Sequence, residues 1–241
     1  MSAFLVTSWT CVMTFGGGLA ALRLEAYRGF VLAFAAGALV STALLDVIPD
    51  ALELLTRSGA ELHHHQLMLM VCLGFLAFYV LEQSARNGAG PHALDAAPAA
   101  GLLGATGIGL HSLLDGVAIG EAFHAGSNVG WVVAFAVVVH KFADGVSAIS
   151  ILMSTGQTPR VANVILGMIA LAPLVGLALQ AFLPLPLYML ALVLGWFAGV
   201  FLYLGAAALI PAAHTASHSR WLPAATLAGV ALVYIVFRAS T

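Results

Sequence analysis

Two histidine–aspartate pairs lie in apolar stretches of the sequence, where ionisable residues are rare. His111 and Asp115 belong to the stretch HSLLDGVAIG, and His140 and Asp144 belong to HKFADGVSAI. In each pair the residues are four positions apart, so on a helix they share one face. Imidazole and carboxylate groups together suit divalent transition metals. If the two helices pack side by side, the pattern predicts a metal site of two imidazoles and two carboxylates.

The alternative interpretation is structural. Each aspartate could merely neutralise its own histidine, or both could pair with Lys141, which follows His140. Two copies of H-x-x-x-D-G in consecutive apolar segments favour the metal site over this alternative. Gly116 and Gly145, which follow the aspartates, remove side-chain bulk and would let neighbouring backbones approach.

Haem-binding electron-transfer proteins and membrane metalloproteases have different sequence patterns. Intramembrane histidines ligate haem in electron-transfer proteins, but haem does not require a carboxylate four residues after each histidine. A metalloprotease should carry a general-base carboxylate beside its ligands, as in H-E-x-x-H, and this sequence has no such motif. We therefore expect a protein that is not an enzyme and has no organic cofactor, and that either transports or senses metal ions. A haem-binding electron-transfer protein is the less favoured alternative. Without a G-x-x-x-x-G-K-[ST] motif, transport would run on gradients rather than on ATP.

The composition is that of an all-α polytopic membrane protein. Hydrophobic residues make up 62% of the 241 residues and charged residues only 7%, whereas soluble domains have roughly 25% charged residues. The mean hydropathy is +1.05, and a net charge of −2 offers no basic patch for nucleic acid. Pro49 is expected to kink the second span or to end its membrane part early. A single transporter domain, residues 1–241, is predicted, with spans near 2–22, 28–55, 66–84, 99–125, 129–154, 161–182, 187–212 and 221–239.

Arginines fall mainly in the connections after the odd-numbered spans. Because basic residues are enriched on the cytoplasmic side of a membrane, these connections are predicted to be cytoplasmic. Both termini then lie outside the cytoplasm, as a multi-pass protein of the plasma (inner) membrane. The five arginines on the cytoplasmic side are Arg23, Arg28, Arg86, Arg160 and Arg220, and those on the other side are Arg57 and Arg238.

The sequence also contains a short internal repeat. FAAGALVSTALLDVIPDA, residues 34–51 in span two, aligns without gaps with WFAGVFLYLGAAALIPAA, residues 196–213 in span seven. These spans cross the membrane in opposite directions, so the repeat is inverted, as in many secondary transporters with a substrate site at the repeat interface. Chance recurrence is the alternative, because membrane helices are rich in Gly and Pro.

The two H-x-x-x-D-G stretches resemble the signature of the ZIP (Zrt/Irt-like) family of divalent-metal transporters. The resemblance extends to DVIPDAL at the end of span two and to AGVFLYLGAAALIPAA in span seven. It implies eight transmembrane helices in a 3+2+3 arrangement, with helices 1–3 and 6–8 as inverted repeats around helices 4 and 5. It also implies a homodimer that moves zinc, iron or manganese into the cytoplasm by an elevator-like movement. Zinc is the expected substrate, although two imidazoles and two carboxylates also accept Fe²⁺, Mn²⁺ and Cd²⁺.

Carried over by position, the resemblance assigns the primary transport site to the two histidine–aspartate pairs. Relatives with a second, adjacent metal use positions that correspond to Ser112, Lys141 and Ala172. An ammonium at residue 141 would repel a second cation and partly neutralise the carboxylates. We therefore expect one metal, with Lys141 in place of a second. Leu114 and Ala143 also depart from the pattern, because prolines often precede the acidic ligands.

Polar residues near the helix ends are candidates for the path of the ion. Asp46 is the preferred residue on the outer side, where it could form an acidic funnel with the carboxylates after it. A solvated helix end explains that cluster equally well. The run of three histidines at 63–65, with Glu61, could collect metal in the outer loop. The candidates are Asp46, Asp50, Glu53, Glu121 and His124 on the outer side, and His214 and His218 on the cytoplasmic side.

Overall fold

The structure of the protein is a computed structural model that describes residues 2–59, 63–88, 96–180, 182 and 186–240. These residues form eight long helices and no strand, as the composition predicts. A bilayer offers no water to backbone polar groups, so an apolar chain adopts helices, which satisfy those groups internally. The helices are α1 Ser2–Arg23, α2 Glu25–Arg57, α3 His64–Gly88, α4 Ala96–Ala125, α5 Ser127–Ser154, α6 Pro159–Gln180, α7 Leu187–Ala216 and α8 Leu222–Ser240.

Each of the eight predicted spans corresponds to one of these helices. The helices α1 to α7 are long and apolar enough to cross a membrane, and α8 contains a shorter apolar segment, Leu222–Ile235. Large apolar side chains such as Trp9, Leu69 and Ile235 are exposed, which suits contact with lipid rather than with water. The predicted eight spans, an even number, would bring both termini to one side of the membrane, and we call that side the terminal side.

The helix α2 runs through Pro49 by means of a π-helical turn. Proline has no N–H to continue the ladder and its ring crowds the preceding turn. The turn Ala43–Val47 is widened, so that the N–H of Ile48 donates to the carbonyl oxygen of Ala43, five residues earlier. The helix continues past Pro49 to Arg57, so the proline does not end the helix itself.

The helix α7 repeats this feature at the equivalent position. Its π turn spans Tyr203–Leu209, and the N–H of Ile210 donates to the carbonyl oxygen of Gly205, just before Pro211. In the repeat of the sequence, Ile210 and Pro211 align with the Ile-Pro pair of α2. The two halves therefore share a backbone irregularity as well as residues.

Glycines bring helix backbones into contact in two equivalent pairs of helices. A Cβ atom on any of four glycines would lie less than 3.0 Å from a carbonyl oxygen of the partner helix, closer than real Cβ atoms approach. Gly37 and Gly199 occupy the same position of the repeat, as do Phe34 and Trp196, so the inverted halves pack alike. The contacts are Gly37 with Thr226 and Gly229 with Phe34 between α2 and α8, and Gly199 with Val71 and Gly74 with Trp196 between α7 and α3.

The same reciprocal glycine contacts join α4 to α6 and α5 to α1. They confirm that the glycines after the two aspartates allow backbones to approach, although the backbones they meet belong to α6 and α1. The helices α4 and α5 are also neighbours, as their short connection predicts. The group α1, α4, α5 and α6 is thereby held together around the polar residues. The contacts are Gly116 with Pro173 and Gly176 with Leu113 between α4 and α6, and Gly145 with Thr14 and Gly17 with Phe142 between α5 and α1.

Candidate metal centre

Four side chains from α4 and α5 converge in the interior of the bundle. His111 and Asp115 come from α4, and His140 and Asp144 from α5. One ligating atom from each lies within 4.8 Å of all the others. All four residues are buried, with exposed fractions of 1–6%. The sequence pattern thus placed two imidazoles and two carboxylates on facing helices, and the fold brings them together.

The ring of His111 is fixed by aromatic packing rather than by hydrogen bonds. It lies edge-on to Phe201 of α7, with ring centroids 4.7 Å apart, and its centroid is 5.9 Å from that of His140. Its Nε2 is 3.5 Å from Oδ1 of Asp115, yet neither ring nitrogen makes a hydrogen bond with a described residue. Buried nitrogens without such bonds are costly. A metal ion bound by one of them would relieve that cost.

Lys141 is fully buried in the same cluster. Its Nζ donates to Oδ2 of Asp144 at 2.6 Å and to Oγ of Ser112 at 2.8 Å, and it forms an ion pair with Asp115. Two of the three second-site positions, Ser112 and Lys141, therefore adjoin the four ligating residues. The third, Ala172 on α6, has no side-chain atom that could bind a metal.

Asp46, the preferred outer residue of the predicted ion path, also reaches the cluster, and its contact with His140 was not predicted from the sequence. Its Oδ2 lies 3.2 Å from Nδ1 of His140, while Nε2 of the same ring faces Asp115, 3.6 Å from its Oδ2. Asp46 lies within the π turn of α2. The only hint in the sequence is Pro49, three residues later, because prolines in membrane helices often mark local widening of the helix.

The remaining candidates for the ion path lie away from the four ligating residues. On the terminal side Asp50 and Glu53 are exposed, and Glu53 lies 3.9 Å from Arg57 in a solvated pair. His214 and His218 are exposed near the end of α7, on the opposite side.

Polar residues at the outer ends of α4 and α6 form a separate group. Glu121 is half-buried and His124 is exposed, and both contact Gln180 of α6, which sequence reasoning did not identify. The histidine run begins at His63, which packs edge-on to Tyr188. Glu61 lies outside the described residues.

Comparison with known proteins bears on this centre. Residues 89–236, which include all four ligating side chains, match the model of the family described as ZIP zinc transporter. The chain belongs to the ZIP family. The resemblance seen in its two H-x-x-x-D-G stretches is confirmed.

One curated ZIP relative shares part of the chain. It is the zinc transporter zipt-7.1 of Caenorhabditis briggsae, which is 28% identical over 106 residues. The match covers 42% of this chain and 27% of that protein, so the chain corresponds to well under half of the relative's length.

Proposed function

We propose that the chain is a divalent-metal transporter, with zinc as its expected substrate, and that the ion passes through the centre between α4 and α5. The observation that carries this proposal is the convergence of four buried ligating side chains on two membrane-spanning helices. An ionisable residue at membrane depth costs at least ~2.5–3.5 kcal/mol on insertion scales, so such residues are retained for function. The family and the named zinc transporter among its relatives support the same substrate class.

The donor set fits zinc. Zn²⁺ takes four ligands in a tetrahedron, with imidazole nitrogens at about 2.0–2.1 Å and carboxylate oxygens at about 2.0–2.2 Å. The two histidines and two aspartates of the centre supply two ligands of each kind. Fe²⁺, Mn²⁺ and Cd²⁺ suit the same donors, so selectivity among them depends on the geometry of the centre.

Lys141 makes this a one-metal centre. Its ammonium touches both carboxylates, in the place where a second cation would have to share Asp115 and Asp144. Two unit charges 4 Å apart interact by about 4 kcal/mol at an effective dielectric constant of 20, so a second cation beside the ammonium is repelled. In the metal-free centre the same ammonium compensates part of the carboxylate charge. As an ion binds, the carboxylates turn from the ammonium to the metal.

Asp46 positions one of the ligands. Its carboxylate lies within hydrogen-bond distance of Nδ1 of His140, while Nε2 faces Asp115. In the neutral tautomer that donates Nδ1–H to Asp46, Nε2 is free to bind a metal. Carboxylates that hold a metal-ligating histidine in this way fix its tautomer and raise its basicity. Because Asp46 belongs to α2, it also connects the centre to a helix outside the group α1, α4, α5 and α6.

We propose alternating access by one domain, residues 1–241, that works as a homodimer in the plasma (inner) membrane. The arginine distribution supports a terminal side that lies outside the cytoplasm. Ions then approach past Asp50, Glu53, Glu121 and His124 and leave toward His214 and His218. The glycine contacts make α1, α4, α5 and α6 one unit, and this unit carries the metal in an elevator-like movement relative to α2, α3, α7 and α8.

Zinc influx into proteoliposomes with a trapped fluorescent indicator tests the proposal. The expected result is saturable influx for the natural sequence, loss of influx for Asp144→Ala, and normal influx for Glu25→Ala. The control removes a carboxylate that is exposed and far from the centre in sequence.

Two results would count against transport through this centre. Influx that survives Asp144→Ala would place the path elsewhere. Stoichiometric zinc binding that Asp144→Ala abolishes, with no influx of zinc, iron or manganese by the natural sequence, would show a metal sensor instead of a transporter.

A further inference from the structure

A second polar cluster joins the ends of α4 and α6 on the terminal side. The side-chain amide of Gln180, at the end of α6, lies between two ligating groups of α4. Its Nε2 is 3.0 Å from Oε1 of Glu121 and 2.9 Å from Nδ1 of His124. Gln180 is only 8% exposed, so its contacts with Glu121 and His124 are made by a buried side chain and not by one that is free to move on the surface. A carboxylate oxygen and an imidazole nitrogen thus converge on one point.

The local sequence favours this convergence. Glu121 and His124 are three residues apart on α4, so they lie on one helix face. Gly120 precedes them, and a Cβ atom on it would lie 2.8 Å from Oε1 of Gln180. Glycine at 120 therefore leaves room for the buried amide. The reciprocal contacts of Gly116 and Gly176 hold α4 and α6 together one turn or more further from the terminal side.

The space between Glu121, His124 and the side-chain amide of Gln180 suits a cation. An NH₂ group donates two hydrogens, and here both are directed at lone pairs that also bind transition metals. A half-turn of the amide exchanges its nitrogen for its carbonyl oxygen, so that a cation lying between the three groups would have this oxygen as a third ligand. Carboxylate, imidazole and carbonyl together suit Zn²⁺, Mn²⁺ and Fe²⁺.

We propose that Glu121, His124 and Gln180 form an outer binding site for a divalent transition-metal ion, distinct from the centre between α4 and α5. With a rise of 1.5 Å per residue, Glu121 is about 9 Å further along α4 than Asp115. Three protein ligands leave a coordination position open, so the ion can arrive from water and depart again. On the proposed transport function, on which this role rests, the outer site loads ions before they reach the centre.

Zinc binding in a chain without the central ligands tests the outer site. The background variant carries His111→Ala and Asp144→Ala, and the histidine run is removed by His63→Gln, His64→Gln and His65→Gln. Equilibrium dialysis measures the zinc that this variant binds. We expect one weakly bound zinc, with affinity about tenfold lower in His124→Ala and about tenfold higher in Gln180→Glu, because a carboxylate replaces a neutral amide oxygen. Glu25→Ala, which removes an exposed carboxylate that belongs to neither cluster nor to the ion path, is the control and should change nothing.

A purely structural role for Gln180 gives the opposite result. If the amide only ties α4 to α6, Gln180→Glu sets two carboxylates against each other and does not tighten zinc binding, and His124→Ala has no effect on it. That outcome would overturn the outer site. If the background chain does not fold, the same variants are compared through the second equivalent of zinc bound by the chain with its centre intact.

Influx measurements separate this inference from the proposed function. Zinc bound at the outer site without influx by the natural sequence would overturn transport and leave the site in place. Influx with no response of binding to His124→Ala or Gln180→Glu would overturn the site and leave transport in place.

Discussion

Replacing Lys141 with methionine should destabilise the metal-free protein strongly. Methionine keeps the length of the side chain but removes the ammonium that contacts Asp115 and Asp144. Removing one partner of a buried ion pair costs about 3–5 kcal/mol, and here two carboxylates lose the same partner. The upper part of that range is therefore expected. At about 2–4 °C per kcal/mol for a chain of this length, the midpoint of thermal unfolding should fall by about 10 °C or more.

The same substitution should make the stability of the protein depend more strongly on zinc than that of the natural sequence. Without the ammonium, the full charge of both carboxylates acts on the incoming ion. At about 4 Å and an effective dielectric constant of 20, removal of the ammonium is worth about 4 kcal/mol for each unit of charge on the ion, so the affinity for doubly charged zinc should rise by at least about a thousandfold. The place of the ammonium, beside Ser112, then becomes available to a second ion. We expect the stoichiometry at the centre to rise from one zinc to two.

Thermal unfolding in detergent, with and without zinc, and equilibrium dialysis measure these effects. Ser112→Ala is the matched control, because it removes one hydrogen bond from the ammonium but leaves both ion pairs. Its cost should be about 1.5–3 kcal/mol, as for other hydrogen bonds to charged groups. If Lys141→Met unfolds within about 2 °C of the natural sequence, a shift of about 1 kcal/mol or less, and still binds one zinc with the same affinity, the role given to Lys141 is wrong.

Three further predictions follow from the geometry. Asp46→Asn should weaken zinc binding about 10–100-fold, as loss of a carboxylate behind a ligating histidine does, with little change in thermal stability, and Asp46→Glu should restore part of the affinity in equilibrium dialysis. Gly145→Ala should lower stability by about 3 kcal/mol, because the added Cβ meets the backbone of Thr14, whereas Gly16→Ala has nothing within 4 Å and should be neutral. Zinc at a hundredfold its Kd should stabilise the natural sequence by about 2.7 kcal/mol, and a chelator should reverse the shift in the thermal midpoint.

A specific result would contradict each of these three predictions. Unchanged zinc affinity in Asp46→Asn would show that His140 needs no carboxylate behind it. Equal thermal midpoints for the two glycine variants would contradict the close packing of α5 on α1. A zinc-induced shift that persists in Asp144→Ala would show that the stabilising ion binds somewhere other than the centre.

Much of the fold was predictable because lipid imposes a simple rule on the chain. Long apolar runs separated by short polar breaks favour spanning helices. Eight were predicted, and the described residues form eight helices, of which seven are long and apolar enough to span a membrane. The course of α2 through Pro49 was not predictable, because widening one turn and ending the helix both satisfy the backbone near a proline. The matching π turn of α7 shows in retrospect what the Ile-Pro identity of the repeat signified.

The site was predictable where its spacing is local and not where it depends on packing between distant helices. The i, i+4 spacing puts each histidine and its aspartate on one face of a helix, and the short connection after α4 makes α4 and α5 neighbours. The contact of Asp46 with His140 depends on how α2 lies against α5. The contact of Gln180 with Glu121 depends on α6. Neither contact leaves a periodic signal in the sequence.

X-ray absorption of the purified protein loaded with one equivalent of zinc tests the central claim most directly. The account predicts four nitrogen or oxygen neighbours at about 2.0–2.2 Å, with the outer-shell scattering of two imidazoles. In His140→Ala the imidazole scattering should fall to that of one ring. A spectrum with no imidazole scattering, or one that His140→Ala leaves unchanged, would contradict a zinc site formed by these four side chains.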